Sequence, residues 1–162
     1  MPAEATPPLH PDVVALSGLL GTWRGEGTGQ YPTIAPFGYG EEVRFWHVGK
    51  PFLAYTQRTW AVEDGRPLHS ESGYWRAKPD GSVEVVLAHP TEIVEVLEGR
   101  IEGSAIELTS STVIGTSTAK EVTALRRHLE LHGDVLRYAL SMAAVGEPLT
   151  PHLTAELHRL EP

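Results

Sequence analysis

Along most of this chain apolar and polar residues alternate one by one. Glu42-Val43-Arg44-Phe45-Trp46-His47-Val48, Phe52-Leu53-Ala54-Tyr55-Thr56-Gln57-Arg58-Thr59-Trp60 and Val83-Glu84-Val85-Val86-Leu87-Ala88 show it most clearly, and each is rich in β-branched or aromatic residues. A period of two sends successive side chains to opposite faces, so each run predicts a half-buried strand. Between the runs stand Glu63-Asp64-Gly65-Arg66-Pro67, Lys78-Pro79-Asp80-Gly81, Glu102-Gly103-Ser104 and His132-Gly133-Asp134, whose Gly, Asp and Pro suit tight reversals. From Thr22 onward about ten such runs follow one another with no helical period of two turns or more between them, which excludes a parallel βαβ sheet. The expected fold is all-β: an antiparallel up-and-down meander that closes into a barrel, because closure removes exposed edges and the successive turns are short. A barrel of more than about eight strands also encloses room for a ligand. A two-sheet sandwich with a solid core is the competing arrangement. Before the strands, the apolar segment from Val13 to Leu20 is expected to form a short helical plug at one end.

The 162 residues suit one domain, and a domain of that size buries roughly 70% of the surface its unfolded chain exposes. The first ten residues, with three prolines, predict a disordered lead-in (1–10), leaving 11–162 as the barrel domain. Thirteen Lys and Arg against 21 Asp and Glu give a net charge of −8, which repels phosphate backbones and anionic membranes. Neither nucleic acid nor membrane is an expected partner. The amino terminus lacks a basic region followed by an apolar stretch, and no apolar run reaches the roughly 18 residues of a span, so a soluble cytoplasmic protein is expected. With no cysteine, disulfides, thiolate metal sites and covalent haem attachment are excluded. A metal must therefore be held by His, carboxylate or Met.

Gly21, Gly25 and Gly27 share one strand face with Trp23, and Gly29 lies just beyond. That face lacks side chains and admits close approach by another strand, a plug residue or a flat ligand; a sharply bent strand with Trp23 as packing anchor is the simpler reading. Of the eight histidines, His10, His128 and His132 read as solvent-facing. His47 and His89 sit at strand ends and suit a barrel rim, neither with a partner at metal-ligand spacing in the sequence. His152 and His158 share strand parity but lie roughly 20 Å apart along a strand, too far to bind one metal ion through bonds of roughly 2 Å. Alternation groups His152 with Thr154, Glu156 and His158, opposite Leu153, Ala155 and Leu157. It thus puts His152 in solvent unless the strand begins at a wide, partly polar mouth. His69 and Met142 suit a cavity wall, with core filling the simpler role for Met142. No Ser, His and acid set marks a nucleophile turn.

The blocks Gly21-x-Trp23-x-Gly25-x-Gly27, Tyr31-Pro32-Thr33-Ile34-x-Pro36-Phe37, Glu41-Glu42-Val43, Glu71-Ser72-Gly73-Tyr74, Thr118-Ala119-Lys120-Glu121 and His152-Leu153, in this order from about Leu16 to the end, resemble the nitrobindin family. The resemblance implies a ten-stranded antiparallel barrel of lipocalin or fatty-acid-binding-protein type, carrying one non-covalent b-type haem near its mouth. It implies His152 as the axial iron ligand and the catalytic centre. Thr33 matches a haem-contacting position, and Lys120 one that pairs with a propionate. Leu68, His69 and Met142 match pocket-lining positions. The implied activity is isomerisation of peroxynitrite to nitrate on ferric iron with reversible binding of nitric oxide, protecting against reactive nitrogen species; a homodimer is compatible with it. An iron held by one neutral imidazole keeps its sixth position open. Two other readings compete. One is a carrier of a fatty acid or similar apolar ligand, with Arg44, Arg58 and Tyr55 as a loose carboxylate clamp. The other is a haem-based sensor that reports through a partner.

Overall fold

The computed structural model describes residues 5–161. Ten strands follow a 3₁₀ helix over Pro11–Leu19: β1 (Gly21–Tyr31), β2 (Ile34–Trp46), β3 (Leu53–Ala61), β4 (Pro67–Ala77), β5 (Ser82–His89), β6 (Ile93–Glu102), β7 (Ala105–Gly115), β8 (Val122–His132), β9 (Val135–Ala144) and β10 (Thr150–Arg159). Each strand pairs antiparallel with the next, and β10 returns to β1 from Trp23↔Arg159 to Gly29↔Leu153. The result is the closed barrel that the alternating runs predict, not a sandwich. All four turn clusters fall between strands, with Gly103 (φ 60°) and Gly133 (φ 59°) in the left-handed conformation that a Cβ would strain. Among the described residues, no helix is long and apolar enough to cross a membrane.

The 3₁₀ helix closes one end. Its buried residues Val13, Leu16 and Leu19 recur every third position, which at three residues per turn stacks them on one face. Burying each is worth roughly 1.5–3 kcal/mol, enough to hold a run that is long for this helix type. Trp23 Nε1 donates to Leu19 O at 2.8 Å. The Arg159 guanidinium lies 4.1 Å over the Trp23 ring and donates to Gly18 O at 2.6 Å and to Leu20 O. Residues 1–4 of the expected lead-in lie outside the described residues. Residues 5–10 form no regular element, yet Leu9 packs against the core and His10 Nδ1 accepts from Asp12 N at 3.2 Å, capping the helix.

The glycine face of β1 is filled by protein. A Cβ on Gly25 would stand 2.0 Å from Glu156 O of β10, one on Gly27 2.4 Å from the Tyr39 ring, and one on Gly29 2.2 Å from the Phe37 ring. Gly25 thus permits the tight β1–β10 seam, while the rings of β2 fold over the other two; no flat ligand is needed to explain them. Gly25→Val is expected to open this seam, because the obstacle is backbone that cannot swing aside. A loss of about 3 kcal/mol or more in a urea titration is the expected result; an unchanged midpoint would show that the seam adapts.

Candidate functional site

At the end opposite the 3₁₀ helix, the connections 32–33, 62–66, 90–92, 116–121 and 145–149 surround an opening into a cavity of about 720 Å³, within the usual range for small-molecule sites. Ile34, Phe37, Leu68, Ile93, Met142 and Leu153 give it apolar walls, and His152 borders it on β10. Strict alternation would turn His152 outward, and the reason it does not is a β-bulge. Pro151 pairs with Ser141 and Leu153 with the adjacent Leu140, so His152 is the extra residue between them. Both His152 and Leu153 consequently reach the cavity, while Thr154, Glu156 and His158 face out. A wide polar mouth is not what turns the ring inward. His158 pairs on the exterior with Glu156 Oε1 at 2.9 Å, which separates the two terminal imidazoles by location.

The surroundings of His152 select its tautomer. Nδ1 lies 2.8 Å from Gln30 O, and a carbonyl oxygen only accepts, so Nδ1 carries the hydrogen. In the neutral ring Nε2 is then the bare lone pair, the state a metal-ligating imidazole needs. Tyr31 braces the other side: its ring meets that of His152 edge-on at 5.3 Å, and its hydroxyl donates to Met142 O and accepts from Ala144 N, each at 3.0 Å. Gln30 therefore supplies the carbonyl, and Tyr31 at the head of the Tyr-Pro-Thr-Ile block the aromatic wall, that orient His152. Thr33 is exposed in the β1–β2 turn beside Ile34, and Lys120 is exposed in the β7–β8 connection at the cavity edge. Leu68 and His69 line the cavity from β4, and Met142 from β9.

The carboxylate clamp does not form. Arg58 lies outside the barrel, paired with Glu42 Oε1 at 3.3 Å, and Arg44 stacks outside on Trp46 at 4.6 Å. Tyr55 OH is committed to Glu71 Oε1 at 2.7 Å. His47 sits at the plugged end, where its Nδ1 accepts from Gly49 N at 3.2 Å. His128 and His132 face outward, beside Glu130. His89 does have a metal-spaced partner, contrary to the sequence reading: its Nδ1 is 3.0 Å from His69 Nε2, on the neighbouring strand β4.

Sequence reasoning missed a set of charges inside the barrel. Glu41, Glu71 and Glu95 are buried, as is most of Arg127. Arg127 holds Glu71 through two bonds, Nη1 to Oε1 at 2.8 Å and Nη2 to Oε2 at 3.0 Å, and also reaches Glu95 Oε1. Burial opposes ionisation of Glu71, but the Arg127 charge and hydrogen bonds outweigh it and draw the carboxyl down to about 2. A signal was present in the alternation. Glu41 shares parity with Val43 and Phe45, Glu71 with Trp75, Glu95 with Ile93 and Leu97, and Arg127 with Leu125 and Leu129.

Glu41 is different, because no cation touches it. Gln57 Nε2 at 2.6 Å and Tyr138 OH at 3.0 Å both donate to its Oε2, and Oε1 has no partner. Burial pushes this carboxyl up to about 7 despite those two bonds. Between the unfolded carboxyl's ordinary 4.5 and that value the folded state binds more protons, so stability falls as pH rises through this window and levels above it. Glu41→Gln is expected to remove the slope, so that the variant gains about 2–3 kcal/mol on wild type between acid pH and pH 8. Denaturant melts at both ends test this, and parallel profiles would refute it.

An antiparallel barrel plugged at one end and open at the other onto an oriented imidazole defines a small-molecule-binding barrel equipped to hold a metal-centred ligand. The chain belongs to the THAP4-like, heme-binding beta-barrel domain family, matched over residues 12–159, which is the nitrobindin family its motifs resemble. It is 57% identical over 155 residues to "Peroxynitrite isomerase 2" of Mycobacterium avium, covering 93% of this chain and 96% of that one. With "Peroxynitrite isomerase" of Nocardia farcinica it shares 56% identity, covering 93% and 92%. The crystal structure of Rv2717c from M. tuberculosis superposes with a TM-score of 0.89 at 55% identity, covering 95% of this chain and all of that one. The residues present fit a haem: one free imidazole nitrogen at the rim, apolar walls able to cover a macrocycle, and an amine at the edge.

Proposed function

We propose that this protein binds one non-covalent b-type haem through His152 and isomerises peroxynitrite to nitrate, with reversible nitric oxide binding at the same centre. The observation that carries the proposal is the Nδ1–Gln30 carbonyl bond, which gives the neutral ring its lone pair on Nε2 at the rim of an apolar cavity. When bound, ferric haem supplies a Lewis-acidic open coordination position to a small anion. The protein's own contribution is positional. Tyr31 and the β10 bulge hold the His152 ring at the mouth, and Leu68, Met142 and Leu153 present apolar surface for the macrocycle. The Lys120 amine is placed to offset a propionate, with Thr33 on the adjoining turn. The enclosing barrel wall keeps two iron centres apart.

Reconstitution with haemin tests the proposal. A sharpened, shifted Soret band, with peroxynitrite decay to nitrate faster than free haemin gives, is the expected result. A haemin spectrum unchanged by the protein would overturn it. Stoichiometric binding without faster nitrate formation would indicate sensing. The apolar-carrier reading loses its support at its clamp, since Arg44 and Arg58 lie outside the barrel and Tyr55 is committed to Glu71, while Arg127 on the cavity wall is paired with Glu71 and Glu95.

A further inference from the structure

Across the barrel from His152, the β4 and β5 wall carries a second donor set. In the strand order of the ring, β5 stands five steps from β10, half of the ten. His69 Nε2 and His89 Nδ1 are 3.0 Å apart, His89 Nδ1 and Glu71 Oε2 are 3.5 Å apart, and donor atoms of all three residues lie within 4.8 Å of one another. Two donors bound at roughly 2.0–2.1 Å to a tetrahedral ion stand roughly 3.3–3.4 Å apart. The His69–His89 and His89–Glu71 spacings lie within a few tenths of an ångström of that value, and the His69–Glu71 pair, within 4.8 Å, has to close to it. We propose that His69, Glu71 and His89 form a site for a divalent transition-metal ion of borderline softness, such as Zn²⁺, separate from the His152 centre.

The outer contacts are those of a ligand set. His89 Nε2 lies 2.7 Å from Glu95 Oε1; with Nε2–H donating to that oxygen, the neutral ring directs its Nδ1 lone pair at the other two donors. A carboxylate behind a ligating imidazole is the arrangement that fixes ring orientation and raises basicity in metal sites. Glu71 is held rigidly by Arg127 and by Tyr55, yet its Oε2 keeps lone-pair capacity on the side of His89. Glu95 is fully buried, and its Oε2 finds no partner, an unsatisfied negative group that an adjacent cation would offset. Two carboxyl groups, Glu71 and Glu95, face one guanidinium, Arg127, on this wall, so a divalent ion meets an excess of acidic groups instead of entering an apolar core uncompensated. Imidazole and carboxylate together favour zinc, iron, nickel or copper over calcium or magnesium. Three ligands leave a position open toward the cavity, where water or a small anion completes the shell.

Zinc titration of the full chain, stripped of metal by chelator and followed by calorimetry, tests the site. One Zn²⁺ per chain is expected. Binding should disappear in His89→Ala and in His69→Gln, and weaken about 10- to 100-fold in Glu95→Gln, since Glu95 supplies no donor itself and supports the His89 ring from behind. The variants His152→Ala and His128→Ala/His132→Ala should bind zinc as wild type does. Co²⁺ in place of Zn²⁺ should give visible ligand-field bands that vanish in His69→Gln, the variant least able to disturb folding because that ring is half-buried with one imidazole partner. Absence of zinc binding in the folded wild type, binding unaffected by both His69→Gln and His89→Ala, or binding lost with the exterior histidines would each overturn the proposal.

Discussion

His152→Ala is expected to abolish stable haem retention while leaving the barrel folded. The ring contributes one hydrogen bond to Gln30 O and one edge contact to Tyr31, and it is part-exposed at a bulge, so its loss costs little packing. Its nitrogen is the only candidate at the rim on β10, since His158 faces out. Outer partners of metal ligands are each worth about 10- to 100-fold in affinity, and loss of the ligand itself should exceed about 100-fold. A haemin titration read at the Soret band and a thermal melt together decide the outcome. A wild-type spectrum from His152→Ala would remove the basis of the proposed function. Loss of haem from a variant that has also unfolded would show instead that the ring is structural.

Arg127→Ala is expected to be the most destabilising exchange of a charged residue. It strips the partner from Glu71 and Glu95 while both stay buried. Breaking such a set from one side costs about 3–5 kcal/mol, because the penalty is an uncompensated buried charge and not merely the lost attraction. For a domain of this size that is a fall in Tm of roughly 6–20 °C. The sign of its pH dependence follows from the same cause. In wild type Glu71 is held down to about 2, so its stabilising contribution is present above the ordinary carboxyl range and is lost only as pH falls toward that value. In the variant burial, no longer outweighed by the guanidinium, raises the Glu71 carboxyl, and the deficit should shrink as pH drops below about 5 and protonation removes its charge. Adding Glu71→Leu and Glu95→Leu should recover part of the loss, since it removes both uncompensated carboxylates and leaves only the neutral Tyr55 hydroxyl and the His89 ring without these partners. A melt of Arg127→Ala within two or three degrees of wild type at neutral pH would show that water, not Arg127, satisfies these groups.

The barrel was legible because its determinants are local. Alternation along Val83–Ala88 names a strand without knowledge of its partner, and Gly103 and Gly133 name reversals through their own backbone freedom. Closure followed from the number of successive hairpins. The terminal histidine was legible as a residue but not as an orientation, since a bulge is a property of two paired strands: it exists only because Pro151 and Leu153 meet adjacent residues of β9. The charged interior was legible in part. Glu41, Glu71, Glu95 and Arg127 each break an inward apolar series, and a charge on that parity is the available signal. Which charge meets which was not legible, as Arg127 lies 56 positions from Glu71 and 32 from Glu95.

The amino-acid sequence by itself determined the strands, their reversals, the plugging segment and, through its motifs, the family. Those features are set by short-range sterics and by the periodicity with which apolar side chains leave water. The tertiary structure alone decided which way His152 turns, what fills the glycine face, and that His69, His89 and the buried carboxylates share one wall. Each of these depends on the register between strands distant in sequence, and register is fixed only when the sheet has closed on itself.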